Sequence, residues 1–183
     1  REDRPGDIVI QAAVSDQAGL VNFFAIPQTG LSTGNAEIAS AHEAAGYKLN
    51  EIAVPTVSLD ELFELANCEV HWLKIDVEGM EANVLNSWRQ SRCRPWIVLI
   101  EATLPGSPVE SHENWEQLIL AKYYAPVYFD GLNRFYVSDE HPELAKSFYA
   151  PPNVYDGFQL DTLSDHAIEL QRSYGAQIEA LSH

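Results

Sequence analysis

At 183 residues the chain is long enough to bury the core of one domain. Apolar residues make up 46% of it and aromatic ones 10%, which excludes a disordered chain. A formal net charge of −16 excludes a nucleic-acid backbone or an anionic membrane surface as the main partner.

Pro5-Gly6 marks a turn, after which Ile8-Val9-Ile10 predicts a buried strand that continues to Ala13-Val14 and stops before Ser15-Asp16. Leu20 to Ile26 predicts a second strand, and the turn residues Gln17-Ala18-Gly19 suggest that the two form a hairpin. Gly30 to Ser40 is rich in Gly, Ser, Thr, Asn and Ala without periodicity. It reads as a mobile loop, either a lid over a site or a plain surface connection. Ile52 to Val57 predicts a third strand, whose Pro55 points to an edge or an irregular start. Ser58-Leu59-Asp60-Glu61 matches a capping box, and Leu59, Leu62, Phe63 and Ala66 give the helix it opens a buried face. Cys68 and Cys93 are too few for a disulfide framework and form no metal-ligand pair, so they read as buried, reduced thiols of a cytoplasmic protein. No apolar run approaches the roughly 20 residues of a membrane span, and no signal peptide opens the chain.

Trp72 to Ile75 is a short strand-like run followed by the acids Asp76, Glu78 and Glu81, with Gly79 between them. Met80, Val84 and Trp88 recur every four residues and predict a helix with one apolar face. Two readings fit these acids. One is a site, because ligands of α/β sheets sit beyond the carboxyl ends of strands. The other is an acidic turn that compensates a helix dipole. Beyond Pro95, the apolar run Trp96 to Ile100 predicts a parallel strand covered on both faces, and it ends at Glu101. Two neighbouring strands that each stop at an acid would build a carboxylate-lined rim. His112 lies just before a helix reaching about Lys122. Val127 to Phe129 and Arg134 to Val137, with turn residues 130 to 133 between them, predict a β-hairpin. A short helix at Glu143 to Tyr149 precedes the loop Ala150-Pro151-Pro152-Asn153, which leads away from the domain. The expected division is a domain over 1–158 and a C-terminal helix over 159–183. Leu160, Ala167, Tyr174 and Leu181 fall seven apart there, with Leu163 and Leu170 between them, and Gly175 and Gln177 interrupt the pattern. That helix is either the start of a coiled coil or packed on its own domain.

The run Leu73-Lys74-Ile75-Asp76-Val77-Glu78-Gly79-Met80-Glu81 closely resembles the KIDVEGxE signature of the FkbM-family methyltransferases. Ala13 to Asp16 followed by Gly19, Val57 to Leu62, and Val98 to Glu101 agree in order, and Phe129 to Val137 resembles a subgroup found in large bacterial surface-polysaccharide proteins. The resemblance covers about residues 8 to 158. It implies an α/β fold with a class I methyltransferase (Rossmann-like) sheet and an antiparallel C-terminal hairpin. It also implies S-adenosylmethionine-dependent O-methylation of a hydroxyl on a saccharide or other small molecule, in surface-polysaccharide biosynthesis. Ser15 and Asp16 would end the third strand near the adenine, and Asp76 the fourth near the methionine part of the cofactor. Glu78 is the first choice for a catalytic base and His112 the second, with Glu101 orienting the substrate or only capping its strand. Asp130, Asn133 and Arg134 read equally well as hairpin-turn chemistry.

The glycine-rich turn after a first strand, and the acid after a second, are not in the chain, which begins at what would be the third strand. The domain is therefore expected to be N-terminally incomplete, with homo-oligomerisation or further domains on the same polypeptide. A reading from another class is an inactive interaction module with an oligomerising C-terminal helix. A third makes Asp76, Glu78, Glu81 and Glu101 a site for magnesium or calcium.

Overall fold

The computed structural model describes residues 5–157, 168 and 172–174. In chain order the elements are β1 (Ala13–Val14), β2 (Leu20–Ala25), α1 (Ala36–Ala44), β3 (Asn50–Val57), α2 (Leu59–Ala66), β4 (Trp72–Ile75), α3 (Glu81–Asn86), β5 (Ile97–Glu101), α4 (Glu116–Leu120), β6 (Tyr124–Phe129) and β7 (Asn133–Ser138). Three 3₁₀ helices, His112–Asn114, Pro142–Phe148 and Val154–Asp156, stand outside that series. The chain divides into two units, Arg1–Tyr149 and Ala150–His183. The heptad positions 160, 163, 167, 170 and 181 lie outside the described residues, whereas Tyr174 is helical. Among the described residues, no helix is long and apolar enough to cross a membrane.

The first unit is mixed α/β. Among the described residues, one sheet runs β1-β3-β2 and another β4-β5-β7-β6. β4 and β5 are parallel, and β7 is antiparallel to both of its neighbours, β5 and β6. Val98, Ile100 and Tyr136 point from the second sheet into a core shared with Leu59, Phe63, Val84, Leu85, Trp88, Trp115 and Ile119. β5 alternates between buried and half-buried positions, so one face is sealed and the other partly covered. That other face carries Phe135, whose ring lies 5.4 Å from that of Phe148 in the 3₁₀ segment.

Ile8, Val9 and Ile10 form no buried strand: they are 76%, 62% and 42% exposed, because no described layer lies over them. β1 and β2 make no hairpin with each other, since both pair with β3, in parallel and antiparallel respectively. β3 is therefore a central strand despite Pro55. The Thr56 amide donates to Gly19 and the Val57 carbonyl faces Ser15, so by alternation the missing amide of Pro55 faces the β1 side, before β1 pairing begins at Thr56. Residues 36–40 are helical rather than loop, because Asn35 caps α1 by accepting the amides of Glu37 at 2.9 Å and Ile38 at 3.2 Å. α3 stops at Asn86, short of Trp88, and the segment from His112 to Lys122 is a 3₁₀ turn plus the short α4. Cys68 is exposed and Cys93 half-buried, so neither is a fully buried thiol.

The capping box is present as the sequence predicts: Ser58 Oγ accepts the Glu61 amide at 3.2 Å, and the Glu61 carboxylate accepts the Ser58 amide at 2.7 Å. The neighbouring Asp60 ties this helix to the chain after α3. Its carboxylate accepts the amides of Arg89 at 3.1 Å, Gln90 at 2.9 Å and Ser91 at 2.9 Å. Partial burial pushes the Asp60 carboxyl up, but these three amides outweigh it and hold the group below its ordinary 3.8. Asp60→Ala is expected to lower unfolding free energy in urea by about 1–3 kcal/mol near neutral pH. A carboxyl held low contributes stability that disappears as the pH falls through its folded value. The difference from wild type should therefore shrink as the pH is taken below about 3.8.

Candidate functional site

In the parallel pair, Ile75 lies opposite Ile100, so β4 and β5 end side by side and the residues beside that step are Asp76 and Glu101. The turn that follows β4 brings Glu78 to the same place. One carboxylate oxygen from each of Asp76, Glu78 and Glu101 lies within 4.8 Å of the others. The rim predicted from two strands ending at acids is therefore formed, with Glu78 as its third member. Lys74, two residues before Asp76 and on the same face, places Nζ 2.6 Å from Asp76 Oδ2.

Crowding changes the protonation of Glu101 and Glu78. Burial, then the charges of Glu78 and Asp76, then a hydrogen bond with Asp76 push the Glu101 carboxyl up to about 8. Burial, followed by the charges of Asp76 and Glu81, also raises Glu78. Glu78 Oε2 is shut away from solvent without a hydrogen-bond partner. Glu81 differs from the other three. Burial raises it too, but it accepts backbone amides, among them that of Gly79 at 3.1 Å, in the first turn of α3. Glu81 thus serves the helix start, as the dipole reading predicts, while Asp76, Glu78 and Glu101 face one another. Such a cluster attracts a cation, and a carboxyl kept neutral at pH 7 can donate a hydrogen bond.

The acid turn is gripped from outside. Glu78 sits in the left-handed region at φ +50° and Gly79 follows at φ +90°. The buried Thr33 donates its hydroxyl to the Glu78 carbonyl at 2.7 Å. A Cβ on Gly79 would lie 2.2 Å from Ile38 Cδ1, and one on Gly34 would lie 2.3 Å from Met80 Sδ. Sequence reasoning missed Thr33, Gly34 and Asn35, which look like loop composition. The available signal was Asn35 ahead of an Ala- and Glu-containing stretch, a helix-cap pattern.

Ser15 and Asp16 lie apart from the acids, at the end of β1. Ser15 is buried, its amide donates to the Val57 carbonyl at 3.0 Å, and its hydroxyl accepts the Gln17 amide at 3.2 Å. Asp16 accepts the Asn83 amide side chain at 3.2 Å, and its carbonyl accepts Arg89 at 2.9 Å. A groove of about 510 Å³ starts at Ser15 and Gln17, passes Leu20 and Phe24, and reaches Gly34, Met80 and Asn83 beside the acid turn.

His112 is not brought to the rim. Its ring nitrogens lie 3.2 Å from Glu110 and 3.9 Å from Glu116, and Arg134 pairs with the same two carboxylates at 2.6 and 3.3 Å. Tyr136 donates its hydroxyl to Glu116 at 2.9 Å. Arg134 and Tyr136 are the register partners of Ile100 and Val98, so this network occupies the sheet face opposite the Glu101 position. Asp130 accepts the amides of Leu132 at 2.9 Å and Asn133 at 2.6 Å, which is turn chemistry.

A family model described as the Methyltransferase FkbM domain matches residues 1–126. That span holds Ser15, Asp16, Asp76, Glu78, Glu101 and His112, and ends within β6, before the segment 129–137. No curated protein and no solved structure matches the chain.

Because the Glu101 carboxyl is held up near 8 against an ordinary 4.5, its contribution to stability is whole below about 4.5 and is lost as pH rises through about 8. Glu101→Gln keeps the shape and cannot ionise. The melting temperature of the wild type is expected to fall between pH 5 and 8.5 more steeply than that of Glu101→Gln, with the two nearly equal at pH 5. Parallel curves would show that Glu101 does not titrate in this range.

Proposed function

The chain belongs to the FkbM methyltransferase family, and from that premise we propose that it is the site of S-adenosylmethionine-dependent O-methylation of a hydroxyl on a sugar or similar small molecule. The observation that carries this reading is the group of three carboxyls, Asp76, Glu78 and Glu101, gathered at the ends of two parallel strands. When bound, the cofactor supplies a methyl group on a cationic sulfur. A cluster in which Glu78 and Glu101 have raised proton affinity suits a neighbour of that charge, which relieves the repulsion within it.

Asp76 would face the sulfonium, balanced in its absence by Lys74. The groove from Ser15 to Asn83 offers apolar walls and polar edges of the kind an adenosyl group takes, with Ser15 at its far end and Asp16 next to it in sequence. Glu78 would accept the proton of the acceptor hydroxyl on its carboxylate, one oxygen of which has no hydrogen-bond partner of its own. A carboxylate whose proton affinity is raised toward neutral pH is suited to that work. Glu101, neutral below about pH 8, would donate a hydrogen bond that orients the acceptor. His112, tied to Glu110 and Glu116, stands outside this reading. The sheet order β4-β5-β7-β6, with β7 antiparallel, supports the class I methyltransferase assignment, since it is the arrangement expected of that sheet's second half.

The surface-polysaccharide setting rests on the likeness of Phe129 to Val137 and belongs to the same proposal, as does a linking or oligomerising helix over 159–183. The reading it stands against is a non-catalytic interaction module.

Calorimetry on the full-length protein separates the two. S-adenosylmethionine carries the sulfonium charge and S-adenosylhomocysteine lacks it. Asp76→Asn is expected to weaken the first about tenfold, equivalent to about 1.4 kcal/mol, and to leave the second nearly unchanged. Equal losses for both would remove Asp76 from the sulfonium. Binding of neither by the wild type would leave the interaction module as the function.

A further inference from the structure

We infer that Thr33, 45 residues away in sequence, is a positioning residue for Glu78, and that the β2–α1 connection is thereby part of the site. The inference rests on the methyl-transfer reading for what Glu78 does, and on geometry alone for how Thr33 acts.

Thr33 is a polar residue with no exposed surface. Its backbone is fixed first: the Phe24 amide donates to the Thr33 carbonyl at 2.8 Å, and the Thr33 amide donates to the Phe24 carbonyl at 3.1 Å. The hydroxyl therefore projects from a strand-like bridge at the edge of β2. It donates to the Glu78 carbonyl at 2.7 Å and accepts the Asn35 amide at 3.0 Å. Both capacities of one hydroxyl are used, one on the acid turn and one on the chain leading into α1.

Glu78 needs such a hold. Its φ of +50° is a conformation that residues with a Cβ rarely adopt and that persists only where the surroundings over-determine it. With φ set and the carbonyl pinned, the direction of the Cα–Cβ bond is fixed, and the carboxyl is aimed at Asp76 and Glu101. Three further contacts close the same turn. Gly79 lies under Ile38, Gly34 lies under Met80, and the Gly79 amide donates to Glu81. None of these replaces the hydroxyl, because none satisfies the Glu78 carbonyl.

The test uses the full-length protein with Thr33→Val, which keeps the shape and loses the hydroxyl, and Thr33→Ser, which keeps the hydroxyl. Thr33→Val is expected to lower kcat for methyl transfer about tenfold or more, with KM for the acceptor within about twofold. Thr33→Ser should stay near wild type. Beside activity, the ¹³C carboxyl resonance of Glu78, assigned by its loss in Glu78→Gln, should move in Thr33→Val and return in Thr33→Ser. If Thr33→Val does not fold, Thr33→Cys carries the same comparison, since a thiol is a weak donor. A lower melting temperature with kcat and the resonance both unchanged would reduce Thr33 to a structural residue and overturn the inference. A wild type that transfers no methyl group would overturn the functional reading instead, and the Glu78 resonance would then decide the positioning by itself.

Discussion

Repulsion among Asp76, Glu78 and Glu101 is the interaction that the rest of the first unit has to accommodate. Carboxylate oxygens within 4.8 Å of one another, if all ionised, would repel by about 1 kcal/mol per pair in water and about 3–4 kcal/mol at an effective dielectric near 20. Two features reduce that. Lys74 offsets the charge of Asp76, and Glu101 holds its proton up to about pH 8. The cluster is therefore poised rather than relaxed. A cation arriving there meets charges already assembled, and a neutral polar ligand meets one hydrogen-bond donor among acceptors.

Holding such a cluster requires a rigid mount, and the mount is visible on both sides. Behind it, Ile75 and Ile100 are buried on neighbouring strands, so the two strand ends cannot drift apart without opening the core. In front, Thr33 and Ile38 grip the turn that carries Glu78. Strain at one backbone position and repulsion among three acids are both carried by apolar packing elsewhere, a distribution found where a site works against local stability.

The parts of the fold that depend on local chemistry were legible in the sequence. Ser58 and Glu61 cap α2, Asp130 builds its turn, and the runs ending at Asp76 and Glu101 are the neighbouring parallel strands that the composition suggested. What failed depended on partners distant in sequence. Ile8 to Ile10 has strand composition without a covering layer, and β1 and β2 looked like a hairpin because proximity in sequence says nothing of β3, which takes both. Thr33 was invisible for the same reason, since its meaning lies in a carbonyl far along the chain. His112 misled in another way: residue type suggested a base, and only the fold shows its ring beside Glu110 and Glu116 rather than among the three acids.

The acids of this chain sort by what their oxygens accept, and that sorting separates scaffold from site more sharply than burial does. Asp60, Asp130 and Glu81 all accept backbone amides, and each fixes a turn or a helix start. Glu110 and Glu116 accept Arg134, and Glu116 also takes the Tyr136 hydroxyl, knitting β7 to the segment around His112. Asp76, Glu78 and Glu101 belong to neither group. Their main neighbours are one another, with Lys74 at one side, and one Glu78 oxygen has no partner. A negative protein carries most of its acids on solvated surface, so −16 alone says nothing about chemistry. Asp76, Glu78 and Glu101 are different: they are gathered, Glu78 and Glu101 are partly desolvated, and none of the three is used to cap a helix or close a turn, which is why the methyl-transfer proposal rests on them.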